Sequence, residues 1–127
     1  MDEDRLSPEL GRLIDRAKAA VSALGVDIPD AEGVALLTGG GTVHCGAAAP
    51  ACQASVPAAQ LALERALSAG DAEVLAAAVA APFDPADTVM PTPGSYACLA
   101  DLDPELPLVV KQDGRWVMLA ASKVNPS

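Results

Sequence analysis

Residues 34–45, VALLTGGGTVHC, leave the chain little choice. Two short apolar runs, 34–38 and 42–45, are separated by three consecutive glycines. A reversal at Gly39-Gly40-Gly41 lets both runs bury their side chains in one sheet. A strand pair alone is marginal in water, so other elements must cover it. On its N-terminal side, Ser7-Pro8-Glu9 joins a capping residue, a proline suited to the first helical position and an acid suited to the positive end of the dipole. Leu10, Leu13, Ile14, Ala17, Val21 and Leu24 then recur at helical spacing, and Gly25 stops the pattern. On its C-terminal side, residues 46–54, GAAAPACQA, have no period and read as a loop. Residues 55–70, SVPAAQLALERALSAG, read as a second helix, with Pro57 in the first turn and Gly70 at the end.

Residues 71–81, DAEVLAAAVAA, suit a helix by alanine propensity and a buried parallel strand by position. Residues 82–93 hold four prolines and read mostly as loop, and 94–102 as a short helix. Residues 108–111 and 115–119 flank Gln112-Asp113-Gly114, and Asp-Gly is a strong hairpin signal. The tail, SKVNPS, is polar. With no repeat and no linker, residues 1–127 read as one domain of the α/β class, a mixed sheet with helices against it.

Composition narrows the chemistry. The chain is 51% apolar, yet Phe83, Tyr96 and Trp116 are its only aromatic residues, so the core must be closely packed Ala, Val and Leu. A net charge of −9 argues against nucleic acid and anionic membrane surfaces as partners. No apolar run approaches the roughly 18–20 residues of a membrane span. The start, MDEDRLSPE, is acidic and unlike a secretory signal. Cys45, Cys52 and Cys98 are odd in number and lack CxxC spacing, which fits reduced thiols in a cytoplasm.

The order of elements and several local sequences resemble the cytidine deaminase family. GVALLTGGGTVHCG, residues 33–46, is similar to its glycine hairpin, and SVPAAQLALERALSAG matches, without a gap, its helix that opens with Cys-Ala-Glu. The resemblance makes 74–81 the third strand. TPGSYACLADL, residues 92–102, resembles the segment Pro-Cys-Gly-x-Cys-Arg-Gln that opens the third helix, and PLVVKQDGRWVMLAASKVNP resembles the closing hairpin. The likeness spans roughly residues 8–126. It implies a three-layer α/β/α sandwich with a mixed sheet of about five strands, assembled as a homo-oligomer, a dimer or tetramer.

In that family zinc is held by three side chains from two helix starts, and a Glu two residues after the first ligand shuttles the proton. Carried onto this chain, the first ligand becomes Pro57 and the Glu becomes Ala59. The two later Cys ligands become Pro93 and Tyr96, with Gly94 kept between them and Ser95 beside it. The residues that hold the ribose fall near Ala48 and Pro50. Pro and Ala cannot bind a metal and Tyr alone would not hold zinc, so the resemblance implies a degenerate member with no zinc and no other cofactor.

Other chemistry on these residues meets specific obstacles. His44 with Cys45, Cys52 and Cys98 would be a relocated metal site, but His44 and Cys45 are adjacent on a strand and point to opposite faces. Cys98, near a helix start, would be a nucleophile lacking a nearby base. Two helix N-termini converging at Pro57 and at Gly94-Ser95 would favour a small polar or anionic ligand, though two prolines remove donors. Against these stand ordinary buried thiols, a surface His, and Tyr96 filling the metal position with its hydroxyl bonded to backbone. TGGGTVHCG lacks the Lys-Ser/Thr of a phosphate loop. Asp84, Asp87, Asp101, Asp103 and Glu105 read as solvated surface.

Three functions follow. The first is a zinc-free deaminase-like protein that binds a small molecule or serves as a structural or partner subunit. The second is a metal-free enzyme acting on a nucleoside-like or amine-bearing metabolite through Tyr96, Cys98 or Gln60. The third is an active deaminase whose ligands lie elsewhere in the alignment.

Overall fold

Strand β1, Glu32–Thr38, is buried at every residue, as a strand must be when it has neighbours on both edges and layers on both faces. The computed structural model describes residues 8–23, 32–48, 57–71, 73–80 and 93–124. Around β1 stand helix α1 (Pro8–Ser22), strand β2 (Val43–Ala48), helix α2 (Ala58–Ser68), strand β3 (Val74–Ala80), helix α3 (Pro93–Leu102), and strands β4 (Pro107–Gln112) and β5 (Arg115–Ala120). A short 3₁₀ turn, Ala121–Lys123, follows. The sheet runs β2-β1-β3-β4-β5. The β3–β4 pair is parallel and the other three are antiparallel. This is the expected mixed α/β sheet of five strands.

Alternation along the strands sorts the core into two halves. Val34, Leu36, Ala77, Val79, Leu108 and Val110 face α2 and α3. Ala35, Leu37, Ala76, Ala78 and Val109 face α1, which answers with Leu13, Ile14, Ala17 and Val21. Trp116 closes the α1 side, with the ammonium groups of Lys18 and Lys111 5.4 and 5.9 Å from its ring centre.

Helix α2 is bland because it lies directly on the sheet. Its buried stripe is Ala58, Ala59, Ala62 and Ala66. Beneath it, a Cβ added at Gly46 would come within 2.5 Å of the Ala58 carbonyl oxygen and 2.6 Å of the Ala62 nitrogen. The same closeness holds on the other face, where a Cβ at Gly33 would strike the Ala17 carbonyl and lie 2.9 Å from the Val21 Cβ. Helix α2 ends in a Schellman motif, with the Asp71 N–H on the Ala66 carbonyl and the Gly70 N–H on that of Leu67. Between β4 and β5, Asp113 and Gly114 both have positive φ, 52° and 80°, as a primed hairpin turn requires.

Two boundaries differ from the sequence reading. Strand β2 continues through Gly46, Ala47 and Ala48, paired with Val34, Gly33 and Glu32. Those small residues carry no period because α2 leaves no room there for larger ones. Pro57 is the N-cap of α2, in extended conformation with ψ 150°, instead of a residue of its first turn. The stop at Gly25, most of the expected loops at 46–54 and 82–93, and the tail beyond 124 lie outside the described residues.

Gly33→Ala is expected to lower stability by about 1–3 kcal/mol through overpacking. Gly11→Ala, where a Cβ meets nothing within 4 Å, is expected to raise it by about 0.5–1 kcal/mol. Both are read as shifts of the urea midpoint at constant slope.

Candidate functional site

The first four N–H groups of a helix have no partner inside it. At the start of α2 the N-cap is Pro57, which makes no side-chain cap bond. The missing acceptor comes from another helix. The Ala59 N–H donates to Ser95 Oγ at 3.2 Å, and Ser95 lies in the first turn of α3. The Ser95 hydroxyl in turn donates to Glu32 Oε1 at 2.5 Å. Ser95 is 0% exposed and Glu32 5%. The starts of α2 and α3 also touch directly, since a Cβ at Gly94 would lie 2.8 Å from Pro57 Cγ.

The sequence-derived positions fall around this junction in part. Ala48, at the end of β2, and Ala59 belong to the core cluster beneath it, and Tyr96 and Cys98 are half-buried against the same cluster. Pro93 opens α3. Gln60 is exposed. Glu32 did not figure among the sequence candidates, although a signal exists. It stands two and four residues before Val34 and Leu36, so alternation aims it at the layer of α2 and α3.

The four residues weighed as a relocated metal site do not gather. His44 Nε2 lies 2.7 Å from Asp71 Oδ2, just past the end of α2. Cys45 lies on the α1 side, its Sγ 3.8 Å from the Arg16 carbonyl. Cys98 sits on α3, and Cys52 lies outside the described residues. Among the described residues no three of His, Cys, Asp and Glu are placed to hold a metal ion. Asp101, Asp103 and Glu105 are exposed, with the Glu105 N–H donating to Asp103 Oδ1. Asp84 and Asp87 lie outside the described residues.

No family model and no curated protein sequence matches the chain. Sixteen chains of solved structures do match. Among them is the 1.6 Å crystal structure of cytidine deaminase from Burkholderia pseudomallei, at 25% identity and a TM-score of 0.70, covering 92% of this chain and 94% of that one. This chain has a cytidine deaminase-like fold.

The deaminase-like fold implies zinc between the two helix starts, and the donors there among the described residues do not fit it. Pro57 and Ala59 offer no ligand atom, and one carboxylate with one hydroxyl falls short of the three protein ligands that a catalytic zinc requires. The Ser95 hydroxyl, moreover, is already engaged with Glu32 and Ala59. A separate groove of about 610 Å³ lies on the α1 side of this deaminase-like sheet, lined by Arg12, Asp15, Arg16, Leu37, Thr42 and Val43.

Neither described thiol is activated. Burial, and then the Asp101 charge, push the Cys98 thiol above its ordinary 9.0. Burial does the same to Cys45, partly offset by Arg16 and Arg65. The folded chain therefore keeps both protons at pH values where the unfolded chain has released them. Stability from this source is complete below pH 9.0 and declines as the pH rises through the folded-state values. Cys98→Ala is expected to flatten the fall of Tm above that pH. A variant with Cys98 as its sole cysteine is expected to react with a thiol reagent more slowly than free cysteine at about pH 8.

Proposed function

We propose that this chain is a catalytically degenerate cytidine deaminase-like protein that works without zinc as a structural or partner subunit. The observation that supports it is the chain of bonds from Ala59 N–H through Ser95 to Glu32 at the junction of the two helix starts. At that junction the buried Ser95 hydroxyl is bonded to the Glu32 carboxylate and to the α2 backbone. A zinc-bound water with a neighbouring carboxylate to move its proton has no ligands and no shuttle at Pro57, Ala59, Pro93 and Tyr96. The partner in this reading is a second copy of the chain in the cytoplasm. Exposed Leu67, Leu75 and Leu102 are consistent with such an assembly.

A ligand-binding role has a specific observation of its own in the α1 groove. Its volume suits a small molecule, and Arg12 and Arg16 stand one helical turn apart at its edge. In a chain of net charge −9, two guanidinium groups outnumber the Asp15 carboxylate in the lining and favour a ligand with an anionic group.

Purified protein is expected to hold far less than one zinc per chain and to leave the ultraviolet absorbance of cytidine and deoxycytidine unchanged. Stoichiometric zinc, or turnover of either nucleoside, overturns the reading. A thermal-shift series over nucleosides and small anions separates the two roles. Stabilisation by an anion that disappears in Arg12→Ala supports the groove, and no stabilisation by any of them supports the structural subunit.

A further inference from the structure

We propose that Glu32 is an internal anion that takes the metal's place as the joint between α2 and α3, so that the junction is an anion site occupied by the chain's own carboxylate. The inference rests on the zinc-free reading above and extends it to the energetics of the site.

The need arises from the two helix starts. Helices α2 and α3, of 11 and 10 residues, bring their N-termini into contact at Pro57 and Gly94. Each end carries about half a positive charge in its unpaired N–H groups. In the deaminase pattern thiolate ligands offset those ends, and here no such ligand stands at the corresponding positions. Neither helix has an acidic residue in its first turn to do so. Two positive ends brought into contact repel, and a negative group beside them is the direct remedy.

Glu32 meets that need on three counts. It comes from a third element, β1, whose alternation fixes its direction. It is 5% exposed, a degree of burial at which a carboxyl group persists only when bonded. And it is coupled to both helices through one hydroxyl. Ser95 belongs to α3 and accepts from the α2 backbone, so its single proton is directed at Glu32. The order N–H to hydroxyl to carboxylate runs from the positive end to the negative group, as a charge-assisted chain should.

The test uses the full chain and sodium acetate as the probe. Glu32→Ala removes the internal carboxylate and leaves room for a small one. Its Tm is expected to fall by about 5–15 °C. Acetate at about 0.1 M is expected to restore several degrees of that loss, because a ligand bound only to the folded state stabilises it. Sodium chloride at the same ionic strength is expected to restore none. Wild type, with the position occupied, is expected to gain nothing from acetate, and so is the isosteric, neutral Glu32→Gln, whose Tm should lie clearly below wild type. If Glu32→Ala is unfolded in chloride, the same rescue is read as recovery of its far-ultraviolet circular dichroism in acetate. The proposal is overturned if acetate helps Glu32→Ala no more than it helps wild type, or if Glu32→Gln melts with wild type. Zinc analysis of the wild-type protein keeps the two readings apart. Metal in wild type defeats the functional proposal whatever acetate does, whereas failed rescue in a zinc-free protein defeats only the anionic joint.

Discussion

The distance between α2 and the sheet governs most of what this molecule is. At Gly46 the backbone of β2 meets the backbone of α2 with no side chain between them, and four alanines complete the contact. Layers this close gain dispersion contacts from many small groups instead of a few large ones. They also explain how a core can form with three aromatic residues in the whole chain. The same closeness brings the α2 N-terminus within hydrogen-bond reach of Ser95 on α3, which in turn bonds the first residue of β1. A leucine at Ala59 or a valine at Gly46 would lift the helix and separate Ala59 N–H from Ser95.

Much of this was legible from local pattern. Gly39-Gly40-Gly41 and Asp113-Gly114 mark both hairpins, because reversals demand backbone that few residues supply. The i, i+3, i+4 recurrence from Leu10 to Val21 marks the face that α1 buries. What escaped depends on tertiary neighbours. Gly46 to Ala48 look like loop residues because small side chains carry no periodic signal, and only α2 lying over them shows them to be strand. Pro57 reads as a first-turn proline by propensity, but its contact with Gly94 is a feature of two helices meeting, which one stretch of sequence does not record.

The site was legible by what is missing and not by what replaced it. Pro57, Ala59 and Pro93 identify positions without ligand atoms, and that reasoning needs only residue types. Glu32 is invisible to it, because a charged residue at a strand's beginning ordinarily reads as solvated. Its significance comes from combining period-two alternation with a partner 63 residues away at Ser95. Ser95 itself was placed at the junction by its neighbour Gly94, without any role for its hydroxyl. In the proposed reading, fold and function separate in the way expected when chemistry resides in a few side chains on a common scaffold.

In the proposed reading, the Glu32 carboxylate does not replace a metal's energy in full. A bound zinc contributes about 10–16 kcal/mol in small metal-dependent domains, whereas a hydrogen bond to a charged group contributes about 1.5–3 kcal/mol. The remainder must come from fastening α2 elsewhere along its length, and the structure has such fastenings. In its last turn, Arg65 Nη1 donates to the Cys45 carbonyl at 2.5 Å, binding α2 to the edge strand β2. At the far end, the Schellman motif fixes Asp71 where it meets His44 of the same strand. Both contacts lie on β2, the strand that also carries Gly46. Helix α2 is thus held at its start by Ser95, in its last turn by Arg65 and just beyond its end by Asp71, with alanine-on-glycine contact between. A helix held along its whole length does not depend on one strong ligand at its tip, and that distribution is what allows the tip to carry proline and alanine.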